Sequence, residues 1–248
     1  MKWREAIIGF VATLLIWEIL SLMLSRPVLP PPMKVFSVFF SQIFRGELGR
    51  HFLVSAGRVT AAIILAAILA VPAGMGLGQM KSLNRLFSPL IYIVYPIPKI
   101  VFLPVILVLF GSGDSSKVLL VGLILFFQIL VVVRDHAARL RPELITSVRS
   151  MGAGRRALFQ FVYLPASIPA LLTALRVSVG TAIAVLFIAE TYATSSGLGY
   201  YIVVESWGAL RYAQMYAGVL AMSLLGLVLY FVVDSLDRRL CPWKDSAL

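Results

Sequence analysis

Ser147-Val-Arg-Ser-Met-Gly152-Ala-Gly-Arg-Arg-Ala-Leu-Phe-Gln-Phe-Val-Tyr-Leu164-Pro165 is a polar, basic interruption in an otherwise apolar chain. Twelve positions after Gly152, the pair Leu164-Pro165 opens another hydrophobic run. The surrounding stretch, about 134 to 166, reads as two short amphipathic helices around a glycine turn. Pro142 suits an early helical position, after which Leu144, Ile145, Val148 and Met151 share a face. Gly152-Ala-Gly154 breaks that helix. In the second helix Ala157, Leu158, Phe161 and Val162 oppose Arg155, Arg156 and Gln160, and Leu164-Pro165 is expected to end it at the membrane surface. A helical hairpin with its tip away from the bilayer is shaped to enter a partner's groove. The stretch therefore marks a docking element in an assembly that has a second, soluble part.

The rest of the chain explains why the interruption stands out. Of 248 residues, 60% are hydrophobic and only 13% charged, too few for the surface of a soluble domain this size. A bilayer-spanning helix needs roughly 20 mostly apolar residues. Runs at about 6–24, 58–79, 86–110, 115–133 and 212–234 qualify, and 167–189 makes a sixth if Arg176 can be accommodated. The fold class is all-α: a polytopic membrane protein of about six transmembrane helices.

The formal charge of +11 invites a polyanionic partner, but the distribution of basic residues points to membrane orientation. With the N-terminus inside, Lys2, Arg4, Lys81, Arg85, Arg134, Arg139, Arg141, Arg149, Arg155, Arg156, Arg238, Arg239 and Lys244 fall in cytoplasmic segments. Arg26, Lys34, Arg45, Arg50, Lys117 and Arg211 fall outside, four of them in the first outer loop, while Arg58, Lys99 and Arg176 lie in or at the ends of spans. That bias satisfies the positive-inside rule with both termini cytoplasmic. A nucleic-acid partner is not required. Cys241 is the only cysteine, which excludes disulfides within the chain. The start, Met-Lys-Trp-Arg before an apolar run, imitates a signal peptide; its length and the lack of a small-x-small cleavage site favour a retained first span.

Along the chain, Arg26-Pro-Val-Leu-Pro-Pro-Pro is stiff and extended. Over residues 34–45, Val35, Phe36, Phe39, Phe40 and Ile43 recur at helical spacing, which predicts an amphipathic helix on the outer face. Gly74 and Gly78 permit close helix approach. The third span holds Pro89, Pro96, Pro98 and Pro104, so it must kink or break, either for packing or along a substrate path. The expected organisation is a first helix plus outer segment (1–50), a transmembrane core (51–235) carrying the loop 134–166, and a cytoplasmic tail (236–248).

At the loop the sequence resembles the permease subunits of bacterial and archaeal ATP-binding-cassette (ABC) importers, whose pattern is Glu-Ala-Ala-x3-Gly-x9-Ile-x-Leu-Pro. Gly152, Val162 at the Ile place, and Leu164-Pro165 fit its spacing; Thr146, Ser147 and Val148 stand where the Glu-Ala-Ala triplet would be. Pro96-Ile-Pro98, Leu103-Pro104, Phe110-Gly111, Arg141-Pro-Glu-Leu144, Ser150-Met-Gly-Ala153, Ala189-Glu190 and Ser195-Ser-Gly-Leu-Gly-Tyr200 are similar to the nitrate/sulfonate/taurine branch. The resemblance implies a MetI-like fold in the cell inner membrane, in contact with lipid. It implies a homodimer of permeases, two cytoplasmic ATPase subunits and an extracytoplasmic solute-binding protein. It makes Arg149, Ser150, Met151, Gly152, Ala153, Gly154, Leu164 and Pro165 the coupling helix and its frame. The chain has no Gly-x4-Gly-Lys-[Ser/Thr] loop. ATP and magnesium therefore belong to the partner, and this chain is expected to carry no catalytic residue, metal or cofactor of its own.

Single residues carry open alternatives. Arg176, near mid-membrane, lines a path for an anion, or pairs with an acidic residue such as Glu18, or snorkels. Lys99 greets an anion with Tyr92, Tyr95 and Gln128 as wall residues, or is an interior structural ammonium. Glu190 shapes an outer gate or caps a loop. His51 and His136 read as interfacial hydrogen-bonding groups without metal spacing, and Asp135-His136 has no nucleophile at recognisable spacing. The substrate class is a small anion such as a sulfonate, taurine, nitrate or bicarbonate, or else a pyrimidine vitamin precursor. A membrane-embedded enzyme lacks any motif, and a stand-alone secondary transporter lacks acidic coupling residues in the spans and a second half that mirrors the first.

Overall fold

The computed structural model describes residues 3–24 and 26–242. Lys2, Lys244 and the rest of the expected tail from 243 onward lie outside the described residues. Every regular element among the described residues is helical: α1 (Trp3–Leu24), α2 (Pro32–Arg45), α3 (Leu48–Gln79), α4 (Lys81–Val94), α5 (Leu103–Phe110), α6 (Asp114–Ala138), α7 (Pro142–Ser150), α8 (Arg155–Leu158), α9 (Leu164–Thr191), α10 (Leu198–Tyr200) and α11 (Tyr212–Leu240). Among the described residues five helices are long and apolar enough to cross a bilayer, and a bent pair, α4 with the segment Lys99–Phe110, passes the same test taken together, which makes six if the pair is one span. The two halves of that pair meet at 83°. The proline cluster thus breaks the third span rather than merely bending it, because Pro96 and Pro98 remove successive backbone donors.

The chain clusters into two compact units. One comprises the residues up to Ala56 together with Glu190–Leu225. In it α1 presents mostly apolar side chains outward, as a lipid-facing helix does, and is tied at its far end: Trp17 Nε1 donates to the Pro30 carbonyl at 3.1 Å and the Ser21 hydroxyl to that of Leu29 at 2.8 Å. α2 begins two residues earlier than the apolar spacing indicates, since Pro32 is tolerated in a first turn where its missing N–H is not needed. Its Val35 is fully buried while Lys34, Ser37 and Arg45 face outward.

The other unit comprises Gly57–Ala189 and the residues from Gly226 onward. Here the small residues of α3 set its distance from α6. A Cβ at Gly74 would meet the Leu130 carbonyl and the Val133 side chain at 3.0 Å, and one at Gly78 would meet the Arg134 carbonyl at 2.6 Å. Arg58, only 4% exposed, donates from Nε at 2.8 Å to Asp114 Oδ1 in the first turn of α6, where a carboxylate also suits the helix dipole. Lys117, expected in an outer segment, is instead buried within α6 with its ammonium donating to the Ser112 carbonyl.

Two boundaries differ from expectation. The second span starts at Leu48, ten residues before the apolar run at 58, and the expected domain border at residues 50–51 falls inside it. His51, Ser55 and Arg58 interrupt the hydrophobic pattern, yet all three are buried on one helical face. Leu164-Pro165 does not end the second hairpin helix: the chain continues helical from Arg155 to Thr191 through a π-helical segment, Phe159–Tyr163. Leu164 N–H bonds to the Phe159 carbonyl, five residues back. That wider turn removes the crowding that Pro165 would impose on the carbonyl four residues before it.

Gly78→Val is expected to lower the thermal midpoint of the detergent-purified protein by several degrees, since overpacking a tight contact costs about 1–3 kcal/mol. Gly76→Ala, with nothing within 4 Å of the new carbon, should leave the midpoint unchanged.

Candidate functional site

Three places collect most of the residues singled out from sequence. The first is the hairpin. α7 has no buried residue, and Arg149, Ser150, Met151, Gly152 and Gly154 are all exposed, Met151 to 78%. Ala153 is half-buried. Gly152 has φ +84°, a conformation that disfavours any side chain. Its N–H bonds to the Arg149 carbonyl at 2.9 Å and the Ala153 N–H to that of Val148 at 3.4 Å. This paired arrangement, a Schellman motif, satisfies the last carbonyls of α7. In the return helix Leu158 and Val162, four apart, turn inward, whereas Phe161 is exposed. The tip is thus shaped by its own backbone bonds.

The second place is the break in the third span. Pro98 offers no N–H to the Val94 carbonyl, and the Lys99 ammonium donates there at 3.0 Å, to Tyr95 O at 2.8 Å and to Ile97 O at 3.2 Å. Its charge also lies over the Phe127 ring at 4.7 Å and the Tyr95 ring at 5.5 Å. A cation at a helix C-terminus complements both the orphan carbonyls and the dipole. Lys99 is therefore the interior cap of α4, with all three of its N–H groups engaged. Beside it is a cavity of about 330 Å³, lined by Tyr95, Lys99, Phe127, Gln128 and Thr181 among others. The sequence grouping of Lys99, Tyr95 and Gln128 is brought together here. Tyr92, grouped with them, instead lies under the Arg134 guanidinium at 5.7 Å. Phe127 and Thr181 carried no sequence signal for this site.

The third place surrounds Glu190 at the end of α9, in the first unit. Glu190 is fully buried and accepts from the Ser55 hydroxyl at 2.8 Å and the Gly199 N–H at 3.0 Å. Ser55 Oγ in turn accepts the Leu198 N–H at 2.7 Å, and His51 Nδ1 accepts that of Gly197 at 3.0 Å. With Nδ1 an acceptor, the His51 proton sits on Nε2, which faces Glu205 at 3.3 Å. Burial, then the nearby Glu205 carboxylate, pushes the Tyr201 phenol up to about 12, so it stays un-ionised. Glu190 thus holds the start of α10 by its backbone N–H groups, as a loop-capping carboxylate does.

Arg176 lies away from the Lys99 cavity's lining. Its guanidinium meets Asp234 at 2.9 Å and Asp237 at 2.8 Å, both on α11, rather than Glu18. The two aspartates, three residues apart near the end of the last span, were the signal for this tie.

Against known proteins, the profile of the binding-protein-dependent transport system inner membrane component matches residues 62–242. The chain belongs to that family. It is a permease subunit of an ABC importer. The permease is 29% identical over 262 residues to the taurine transport system permease protein TauC of Escherichia coli K12, covering 99% of this chain and 94% of that one. It is 25% identical over 254 residues to the formylaminopyrimidine transport permease protein ThiX of Halalkalibacterium halodurans, covering 98% and 96%. The MetNI methionine ABC transporter, solved in inward-facing conformations, overlays with a TM-score of 0.64 at 21% identity over 78% of the permease and 95% of that chain. The MetI-like fold expected from sequence is the fold observed.

Lys99→Met in the permease keeps the side-chain length and removes the donors. We expect a loss of about 2 kcal/mol, the scale of losing hydrogen bonds to a charged group; the Val94 carbonyl keeps the Ile97 N–H at 3.2 Å. Thermal unfolding in detergent measures it, and a midpoint equal to the parent's would show that Lys99 is no cap.

Proposed function

We propose that this permease forms the solute path of the importer by alternating access, paired with a second copy of itself. Two ATPase subunits dock on the tip at Arg149–Gly154 and supply ATP, magnesium and the driving force, and a solute-binding protein delivers from the opposite face. The observation that carries the reading is the hairpin: an exposed tip whose backbone bonds are complete within itself, with open space around Gly152 and Gly154. A tip with Arg149–Gly152 and Gly154 exposed is available to a partner. Leu164 and Pro165 frame it where the return helix meets the long span.

Orientation follows from parity. Six crossings put both termini, the Met80 connection and the hairpin on one side, and the positive-inside rule makes that side the cytoplasm. The segments around Gly111 and residues 192–211 then face outward, which gives the Glu190 network to the outer end. The core 51–235 acts as the translocating part, with residues 1–50 as an accessory helix and outer segment. A small sulfonate-type anion is the proposed solute, supported by the likeness to the taurine permease along nearly the whole chain. The Lys99 cavity, with Tyr95 and Gln128, belongs to the path. Arg176 contributes by its tie to α11, and Glu190 by holding the outer loop.

Two measurements test this. The chain alone in liposomes should take up no solute under an ion gradient, and should do so with its ATPase, binding protein and ATP; gradient-driven uptake by the lone chain overturns the reading. Gly154→Trp, at a position with open space and no positive φ, should leave membrane insertion intact and lower ATP-driven uptake at least tenfold. Uptake at the parental rate would remove the tip from the docking surface.

A further inference from the structure

A second cavity, of about 410 Å³, lies at the end of α6 and beside α9. Val132, Asp135, His136 and Arg139 line it on one side, Pro169, Ala170 and Thr173 on the other. Its charges do not cancel. The Asp135 carboxylate is already met by Arg134, whose Nε and Nη2 donate to Oδ1 at 2.9 and 2.8 Å. The Arg139 guanidinium and the His136 ring have no hydrogen-bond or ion-pair partner among the described residues, and both residues are exposed. Arg139 thus brings an uncompensated charge and a fork of N–H donors to the cavity, and His136 brings a further N–H. The Thr173 hydroxyl donates to the Pro169 carbonyl at 2.8 Å but is exposed, so it can turn to a ligand. Val132, Pro169 and Ala170 supply apolar wall. These donors suit an oxyanion.

Position separates this cavity from the one beside Lys99 and connects it to the hairpin. Val132 is one turn past Gln128 on α6, and Thr173 is two turns before Thr181 on α9, about 12 Å along the axis. The same helix pair lines both spaces, which favours a dissolved anion over a lipid headgroup here. Parity gives this end of α6 to the cytoplasm. The pair also carries the hairpin: α6 runs into it at Arg139, and the return arm runs on into α9. Two terms hold affinity down, since Asp135 lines the same space and a helix C-terminus disfavours an anion. The Arg139 and Leu140 N–H groups blunt the second by taking the His136 and Ala137 carbonyls at 3.1 and 3.4 Å. One exposed guanidinium against these terms sets a dissociation constant on the order of millimolar. Such a site is empty at trace anion and fills on accumulation. At about 30 Å³ per water the space holds roughly fourteen waters, room for a small hydrated oxyanion.

We propose that this cavity is an oxyanion site open to the cytoplasm, at which accumulated anion slows the importer's turnover. Arg139 pairs with the oxyanion, His136 donates a second bond, and Thr173 turns from Pro169 to donate a third. The site reads the charged group alone and leaves the rest of the molecule unselected, so it is not a filter for the transported solute. A ligand held from both α6 and α9 favours the helix spacing at which both reach it. Movement of the hairpin that changes this spacing must break one of those contacts, and occupancy therefore opposes it. The effect on turnover rests on the importer reading; the binding itself does not.

Saturation-transfer NMR with methanesulfonate tests the binding on the detergent-purified chain, at constant ionic strength set with chloride. The methyl signal should show saturable transfer that sulfate and phosphate displace. Arg139→Gln should weaken binding about tenfold or more, the scale of one charge-assisted hydrogen bond, and Arg139→Lys should weaken it less. Val132→Trp, which fills the space without touching a charge, should abolish binding. Arg85→Gln removes an exposed cation of α4 outside the lining and should change nothing. Transfer that does not saturate, or parental affinity in Arg139→Gln, overturns the proposal. If Val132→Trp does not yield folded protein, the arginine variants decide alone. Titration in phosphatidylcholine nanodiscs with and without phosphatidylglycerol distinguishes the two sources of an oxyanion. Equal binding in both is expected, and loss with phosphatidylglycerol assigns the cavity to a headgroup and overturns the site for dissolved anion. In the complex with ATPase and binding protein, methanesulfonate should lower ATP turnover over the concentration range in which it binds, and Arg139→Gln should need about tenfold more. Turnover indifferent to methanesulfonate overturns the control of the importer. A complex that hydrolyses no ATP, beside a chain that binds as expected, sinks the importer reading and leaves the site standing.

Discussion

A helix cut in the middle of a bilayer must find partners for its freed backbone groups within the protein, because no bulk water reaches them. The third span is cut at Pro96 and Pro98, and Lys99 meets that demand with one side chain reaching three carbonyls. The rest of the candidate path depends on it. The 83° turn that the cap holds in place opens the cavity between the break, α6 and α9. The side chain that makes the cavity possible also sets its charge. Other basic residues among the spans follow the same rule: Arg58 goes to Asp114, Lys117 to a carbonyl, and Arg176 to Asp234 and Asp237.

The hairpin obeys the opposite economy. Its first arm and tip lie outside the long helices and are satisfied locally, with Thr146 and Ser150 hydroxyls bonding back four residues and the Schellman turn closing α7. The shape of the tip is therefore set by its own backbone bonds. Gly152 is required for a backbone reason, its positive φ, and not for the space its missing side chain leaves.

What was legible in the sequence follows the physics of each signal. Apolar runs located the five long helices and the bent pair, and the prolines located the break, because both act through local chain properties. The start of α3 was hidden, since His51, Ser55 and Arg58 interrupt the apolar run and their burial depends on partners distant in sequence. Hairpin residues were legible from glycine and proline spacing, but the π-helical turn that carries the chain through Pro165 has no compositional mark. The partners of Arg176 and Glu190 lie 58 or more residues away in one case and on a backbone turn in the other. Pairings of that kind arise from packing, so periodicity does not reveal them. Gln128 was visible as a polar residue in a span, whereas the cavity it lines is a property of the folded chain.

The π-helical segment Phe159–Tyr163 has a further consequence for how the hairpin changes over evolutionary time. A π turn holds one residue more than the α-helix it replaces. Deleting one residue there would restore ordinary α-helix into α9, draw the tip in by about 1.5 Å and swing it by about 100° around the axis. The membrane-embedded register beyond Leu164 would not change. The segment is thus a vernier between the register of α9 and the orientation of the exposed tip.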